Sequence, residues 1–374
     1  MDGTTTPIVD EFNAWLEQLV AGEGSDLHVK VGSAPMIRLP QGLHRLERGP
    51  VSQEETESIA DAIVPEDRKG RFAEMGEVDF AYSLHNIGRF RVNVFRQRGM
   101  VGLAIRRVRS EIPTIEELML PSVVAELASA PRGLVLVTGP TGSGKTTTIA
   151  SMIGHINRTR RAHIITIEDP IEVVHDDDRS IIQQREIGLD TDTYASALKH
   201  VIRQDPDVIF VGEIRDADSA LSAIQAAETG HLVISTLHTI DCTETINRIL
   251  DLFPPLQQRE IRTSLAGALR GIVSQRLATR ADGMGRVPAI EVLVATGRVY
   301  DRIVDPDATI QITDVIADGA FYGMQTFDQC LVRLVHDGMV SEEDARRAST
   351  NPHDFNLALH GVLTRGGVPA VQAR

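Results

Sequence analysis

The sequence predicts an α/β protein in two parts. A small α+β module takes residues 1–112, a short connection follows at 113–120, and a larger domain over 121–360 is built on a parallel sheet with a helical carboxyl-terminal part. Two observations carry this. Short alternating apolar segments and amphipathic helices fill the first part, whereas beyond Pro131 the apolar runs become continuous and are separated by helix-length spacers, the pattern of strands buried on both faces. A glycine-rich phosphate-loop motif then lies between the first of these runs and a helical stretch. A chain of 374 residues has room for two or three domains of roughly 100–200 residues each.

In chain order, Ile8, Val9, Phe12, Trp15, Leu16, Leu19 and Val20 recur at helical spacing and predict an amphipathic helix that Gly22 and Gly24 end. Leu27, Val29 and Val31 alternate as in a strand. Val78 to Leu84, Phe90 to Phe95 and Gly102 to Arg107 read as further strands, with a helix near Glu54 to Ile63. Pro113 and the break in periodicity from Glu111 to Thr114 mark the connection. Leu134 to Val137, His163 to Ile167, Val208 to Val211 and Leu232 to Ser235 are the continuous runs of the parallel sheet. From about Leu256 onward helices are expected, including Arg262 to Leu277 and Phe327 to His336. Residues 361–374 have little apolar content and read as a mobile tail.

Composition narrows the function. Hydrophobic residues are 42% and charged ones 24%, ordinary for a globular chain. The formal charge of −14 opposes a protein whose main task is to coat phosphate backbones, so no nucleic-acid partner is expected. Two cysteines, Cys242 and Cys330, provide neither a disulfide framework nor a four-thiolate zinc site. Residues 1–10 carry acids and threonines where a secretion leader needs basic and then apolar residues. The apolar runs are far short of the ~20 residues that span a bilayer, so any work at a membrane is peripheral.

The chemistry sits at the strand ends. Gly139-Pro140-Thr141-Gly142-Ser143-Gly144-Lys145-Thr146 matches G-x-x-x-x-G-K-[ST] and is followed by Thr147. Glycines let backbone N–H groups turn toward phosphate oxygens at a helix N-terminus, Lys145 reaches the β- and γ-phosphates, and the Thr146 hydroxyl can ligate Mg²⁺. ATP and Mg²⁺ are therefore the expected cofactors. Hydrolysis also needs an acid. Glu168 and Asp169 end one apolar run and Glu213 follows another; Glu213 is read as the general base and Glu168 as the metal or water ligand.

Four ordered segments resemble a known family. GPTGSGKTT at 139–147, TIEDPIE at 166–172, DPDVIFVGEIRD at 205–216 and TGHLVISTLHT at 229–239 are similar to the Walker A, Asp, Walker B and His boxes of secretion and pilus ATPases. SDLHVKVG at 25–32, QRE at 184–186 and GMQTFDQ at 323–329 narrow the likeness to the PilT-like type IV pilus retraction branch. The segment Gly297 to Ile303 departs from that branch's AIRNLI-like signature. The resemblance implies a PAS-like N-terminal domain and a RecA-like ATPase domain in a homo-hexamer. It further implies a motor at the cytoplasmic face of the inner membrane that acts on a platform protein and drives pilus retraction and twitching motility, and it allows a paralogous ATPase as partner. The family's glutamates fall on Glu213 and Glu168. Its His box gives His231 and His238 as γ-phosphate sensors, and Arg91 and Arg106 match its N-terminal-domain arginines. A pilus-assembly or type II secretion motor is the alternative within this chemistry; a RecA-like nucleic-acid motor lies outside it.

Overall fold

The computed structural model describes residues 7–39, 41–108 and 111–361. The chain divides into two compact units, one of residues up to Glu111 with Glu172–Val174, the other of Ile112–Ile171 and the residues from His175 onward.

In the first unit a helix over Pro7–Ala21 buries Val9, Phe12, Trp15, Leu16 and Leu19 along one stripe, and its last carbonyls are met by the N–H groups of Gly22 and Gly24. A second helix, Gln53–Ile63, starts with a capping box between Ser52 and Glu55. A third, Glu66–Met75, ends at Gly76 in the left-handed region. The sheet comprises β1 (Asp26–Lys30), β2 (Met36–Leu39), β3 (Gly42–Arg45), β4 (Glu77–Leu84), β5 (Gly88–Gln97) and β6 (Met100–Arg107), all antiparallel, in the order β3-β2-β1-β6-β5-β4. Strict alternation sends Phe90, Val92, Val94, Leu103 and Ile105 into one core with the first two helices. Arg91 and Arg106 are left on the other side of the sheet, opposite each other in register. Strands β2 and β3 and the helix Glu66–Met75 carry too few periodic apolar residues to be seen in the sequence.

The second unit holds β7 (Gly133–Thr138), β8 (His163–Glu168), β9 (Ile181–Glu186), β10 (Val208–Val211), β11 (Leu232–Leu237), β12 (Leu269–Thr279) and β13 (Arg286–Val294), in the order β13-β12-β7-β11-β10-β8-β9. All neighbours are parallel except the β12–β13 pair. The expected burial on both faces is present. Leu134, Leu136, Ile165, Ile167, Ile209 and Val211 pack on one side with the helices Tyr194–Val201, Ala217–Glu228, Cys242–Asp251 and Pro255–Ala268. Val135, Val137, Ile164, Val208 and Phe210 pack on the other with Val123–Ala128 and Lys145–Thr159. Ile115 and Leu120, within the stretch 113–120, are buried in this latter cluster.

One expectation is overturned. Arg262 to Leu277 is not one helix: the helix Pro255–Ala268 stops and β12 begins at Leu269. Ile272 and Val273 are β-branched, and Gly271 approaches so closely that a Cβ there would lie 2.7 Å from Leu127 and 2.8 Å from the Leu293 carbonyl. These residues suit a strand slotted between β7 and β13, not a helix interior. The helix Phe327–His336 is as expected and packs, with Glu342–Ala348 and Pro352–Leu359, on the outer part of the β12–β13 ribbon. Residues 362–374, read as a tail, lie outside the described residues.

Candidate nucleotide site

The carboxyl ends of the parallel strands line up because their registers do. Leu136, Ser235, Val211 and Ile167 form one row across β7, β11, β10 and β8. Gly139, His238, Glu213 and Glu168 follow that row within a few residues, so the four motifs meet along one sheet edge.

The phosphate loop has the torsions and the space that its glycines supply. Gly139, Gly142 and Gly144 have φ of +144°, +78° and +92°. A Cβ at Gly139 would collide with the Gln275 carbonyl of β12, and one at Gly144 would sit 2.7 Å from the Gln275 side-chain amide nitrogen. No side chain caps the helix Lys145–Thr159, whose N-cap is Gly144; its positive end faces the loop. Ser143 Oγ is buried without a hydrogen-bond partner. A phosphate oxygen would satisfy it, so the loop fits a nucleoside polyphosphate. Thr141 and Thr146 are exposed at the rim.

Lys145 Nζ donates to the carbonyls of Gly139 (2.7 Å) and Pro140 (3.1 Å) and lies 3.4 Å from His238 Nδ1. His238 Nε2 in turn lies 3.5 Å from Glu213 Oε1. An ammonium can only donate, so Nδ1 is the accepting atom of the lysine contact, while Nε2 faces the carboxylate. His238 thus stands between the loop lysine and Glu213. Glu168 is buried and accepts from Thr166 Oγ1 (2.7 Å) and Gln184 Nε2 (3.0 Å).

His231 is a correction. It precedes β11 at its amino end, where its carbonyl accepts the Gly133 N–H at the start of β7 and Nδ1 meets the Ala226 carbonyl at 3.0 Å. The six-residue strand Leu232–Leu237 separates it from His238, roughly 20 Å at the strand rise. It therefore packs at a helix end rather than sensing phosphate in this unit. Arg91 and Arg106 lie in the first unit, where Arg106 Nε donates to Asp26 Oδ1 at 3.0 Å. Burial works to raise the Asp26 pKa, but hydrogen bonds from Ser25 and Arg106 outweigh it and hold the carboxyl below its usual range.

Sequence reasoning missed the backing of the loop. Thr138 and Ser274 hydroxyls lie 2.7 Å apart and Thr148 Oγ1 donates to Gln275 Oε1 at 2.7 Å, so β12 holds both the strand and the helix that flank the loop. No cluster of three or more His, Cys, Asp or Glu among the described residues could hold a metal alone. A divalent cation here would draw most ligands from phosphate oxygens and water, as Mg²⁺ does, with Thr146 and Glu168 as the protein's share.

Comparison with known proteins agrees with this geometry. The family model described as Type II/IV secretion system protein matches residues 91–348. The type IV pilus retraction ATPase PilT of Pseudomonas aeruginosa is 40% identical over 331 residues, covering 88% of this chain and 96% of that one. The type IV pilus ATPase PilU of the same organism is 39% identical over 349 residues, covering 93% and 91%. A crystal structure of the pilus retraction motor PilT with bound ADP matches with a TM-score of 0.83 at 42% identity, covering 93% of this chain and 98% of that one. With the phosphate loop, the two acid motifs and His238 on one sheet edge and this similarity along nearly the whole chain, the protein belongs to the PilT-like type IV pilus retraction ATPases of the type II/IV secretion system family.

Proposed function

We propose that this chain is an ATP-hydrolysing, Mg²⁺-dependent motor for type IV pilus retraction and twitching motility. It works as a homo-hexamer at the cytoplasmic face of the inner membrane, through a platform protein and alongside a paralogous ATPase. The observation that carries the reading is the linked set Lys145, His238 and Glu213 beside the phosphate loop, in a chain 40% identical to a retraction ATPase over nearly that protein's whole length. No helix among the described residues is long and apolar enough to cross a membrane, which suits a motor that docks on one.

In this reading residues 139–147 wrap the phosphates, Ser143 gaining the partner it lacks. Lys145 leaves its loop carbonyls for the β- and γ-phosphates. Glu213 accepts the proton of the attacking water and His238 registers the γ-phosphate through Lys145; Thr146 and Glu168 would hold a divalent cation, which would supply charge neutralisation to the phosphates. Arg91 and Arg106 supply guanidinium charge to the transferring group.

The test is Mg²⁺-dependent ATP hydrolysis across a size-exclusion profile for the native chain, Glu213→Gln and Arg91→Ala. Activity confined to a hexamer-sized peak and lost in both variants supports the motor; a fully active monomer overturns the ring. Deleting the gene then separates the biological roles, since a retraction motor leaves long unretracted pili and an assembly or secretion motor leaves none.

A further inference from the structure

Beside the site stands a guanidinium that none of these roles uses. Arg215 is two residues beyond Glu213, and its backbone is fixed on both sides. Ile214 is buried and donates its N–H to the Thr236 carbonyl at 3.1 Å, while Asp216 caps the helix Ala217–Glu228 by accepting the Ser219 N–H at 2.8 Å. From that position Arg215 Nε donates to Glu213 Oε2 at 2.8 Å and Nη1 to Asp169 Oδ2 at 3.3 Å. One guanidinium thus joins the acid beyond β10 to the acid beyond β8. Its donors keep fixed angles, so it sets an orientation where a lysine would supply only charge. Glu213 Oε1 faces His238 at the same time, which leaves both carboxylate oxygens directed.

Tyr194 completes the frame. Its hydroxyl lies in the space that a side chain at Gly212 would fill, between the ends of the two acid-bearing strands. Burial, then the nearby Asp169, push the phenol upward, so it stays a neutral spacer among acids.

We infer that Arg215 is a positioning residue for ATP hydrolysis, holding the Glu213 carboxylate toward the attacking water with Asp169 as its anchor. In the step it serves, the water oxygen bonds to the γ-phosphorus and the water proton passes to Glu213. The bond to the β–γ bridging oxygen breaks, with its electron pair leaving on ADP. The inference rests on Glu213 being the base. A misdirected base costs turnover and spares binding, because the arginine bonds the carboxylate and not the phosphate loop.

The experiment measures kcat, KM and equilibrium binding of a fluorescent ATP analogue on the full chain. The variants are Arg215→Gln, Arg215→Lys, Asp169→Asn, Glu213→Gln and the double variant Arg215→Gln with Glu213→Gln. Arg215→Gln should lower kcat by about 10- to 100-fold while analogue affinity and elution volume hold within about twofold. Arg215→Lys should recover part of the loss, Asp169→Asn should lose less, and the double variant should be no slower than Glu213→Gln alone. An Arg215→Gln kcat that is unchanged or raised, a matching loss of affinity, or a loss additive with Glu213→Gln overturns the inference. A fully active Glu213→Gln instead overturns the reading of the base on which it rests.

Discussion

Gly212 follows β10 and lies outside the positive-φ residues, so space and not torsion requires a glycine there. A Cβ at this position would meet Tyr194 Oη at 2.8 Å, the Ile167 carbonyl at 3.2 Å and Glu168 Cα at 3.5 Å. The Ile167 carbonyl cannot retreat, because it accepts the Gly212 N–H at 2.8 Å within the β8–β10 ladder. The phenol must therefore swing away, and overpacking of this kind costs about 1–3 kcal/mol. Replacing Tyr194 with Phe removes the severe contact and leaves only the tight carbonyl one. Gly212→Ala should thus destabilise by about 2 kcal/mol, and adding Tyr194→Phe should return about 1 kcal/mol of that. Urea unfolding of the parent, both single variants and the double gives the coupling directly. At roughly 2–4 °C per kcal/mol for a domain of this size, thermal melts should show the same order. Additivity within about 0.5 kcal/mol would refute the reasoning, because it would mean that the phenol does not occupy the space in front of Gly212.

Other outcomes test the site more broadly. Lys145→Ala should abolish detectable nucleotide binding by isothermal titration while leaving the melting temperature within a few degrees, since the bonds it loses include those to two loop carbonyls and the contact with His238; retained affinity would remove it from the phosphate site. His238→Ala should lower kcat about tenfold or more and His231→Ala less than about twofold, because only His238 links Lys145 to Glu213; equal losses would contradict the strand-end assignment. Glu291 gives a pH prediction. It is buried and accepts the Cys242 N–H at 2.9 Å; burial pushes its carboxyl above the usual 4.5, with the Cys242 amide opposing. A raised folded pKa adds stability that is complete below the unfolded value and lost as pH rises through the folded one. Glu291→Gln keeps an acceptor for Cys242, so its stability relative to the parent should climb as pH rises above the ordinary carboxyl value of 4.5 and level off once Glu291 is ionised in the folded state; a difference constant with pH in urea titrations would refute this.

Legibility in the sequence followed burial and backbone chemistry. The runs at β7, β8, β10 and β11 were readable because strands covered on both faces need apolar residues at every position, and spacers of helix length leave few alternatives. The phosphate loop was readable because positive-φ torsions and close backbone approach demand glycines at fixed intervals. Short strands such as β2 and β3 hid because four residues at a sheet margin, mostly exposed in β3, hold too little periodicity. His231 was misplaced for a different reason. A motif locates a residue along the chain, whereas a strand's two ends lie on opposite sides of the sheet, so two histidines of one motif can sit on opposite edges.

The strand that sequence patterning mistook for a helix is also the one that shapes the phosphate loop. Leu265, Leu269, Ile272 and Val273 are buried in succession, a spacing that a helix and the helix-to-strand passage share, so periodicity alone could not separate them. Once β12 lies beside β7, the need for glycine at 139 acquires its cause: the Gln275 carbonyl occupies the space a side chain would take. The next residue, Arg276, lies 3.9 Å from the Phe327 ring centroid and donates to the Ala348 carbonyl at 2.9 Å, so three consecutive β12 residues touch the β7 terminus, the loop and the terminal helices. A loop held this way cannot change its backbone path without either moving Gln275 or breaking its bond from Thr148, and Gln275 cannot move far while Ser274 and Arg276 are held. The rigidity of the phosphate site therefore comes as much from a strand about 130 residues downstream as from the glycine motif itself.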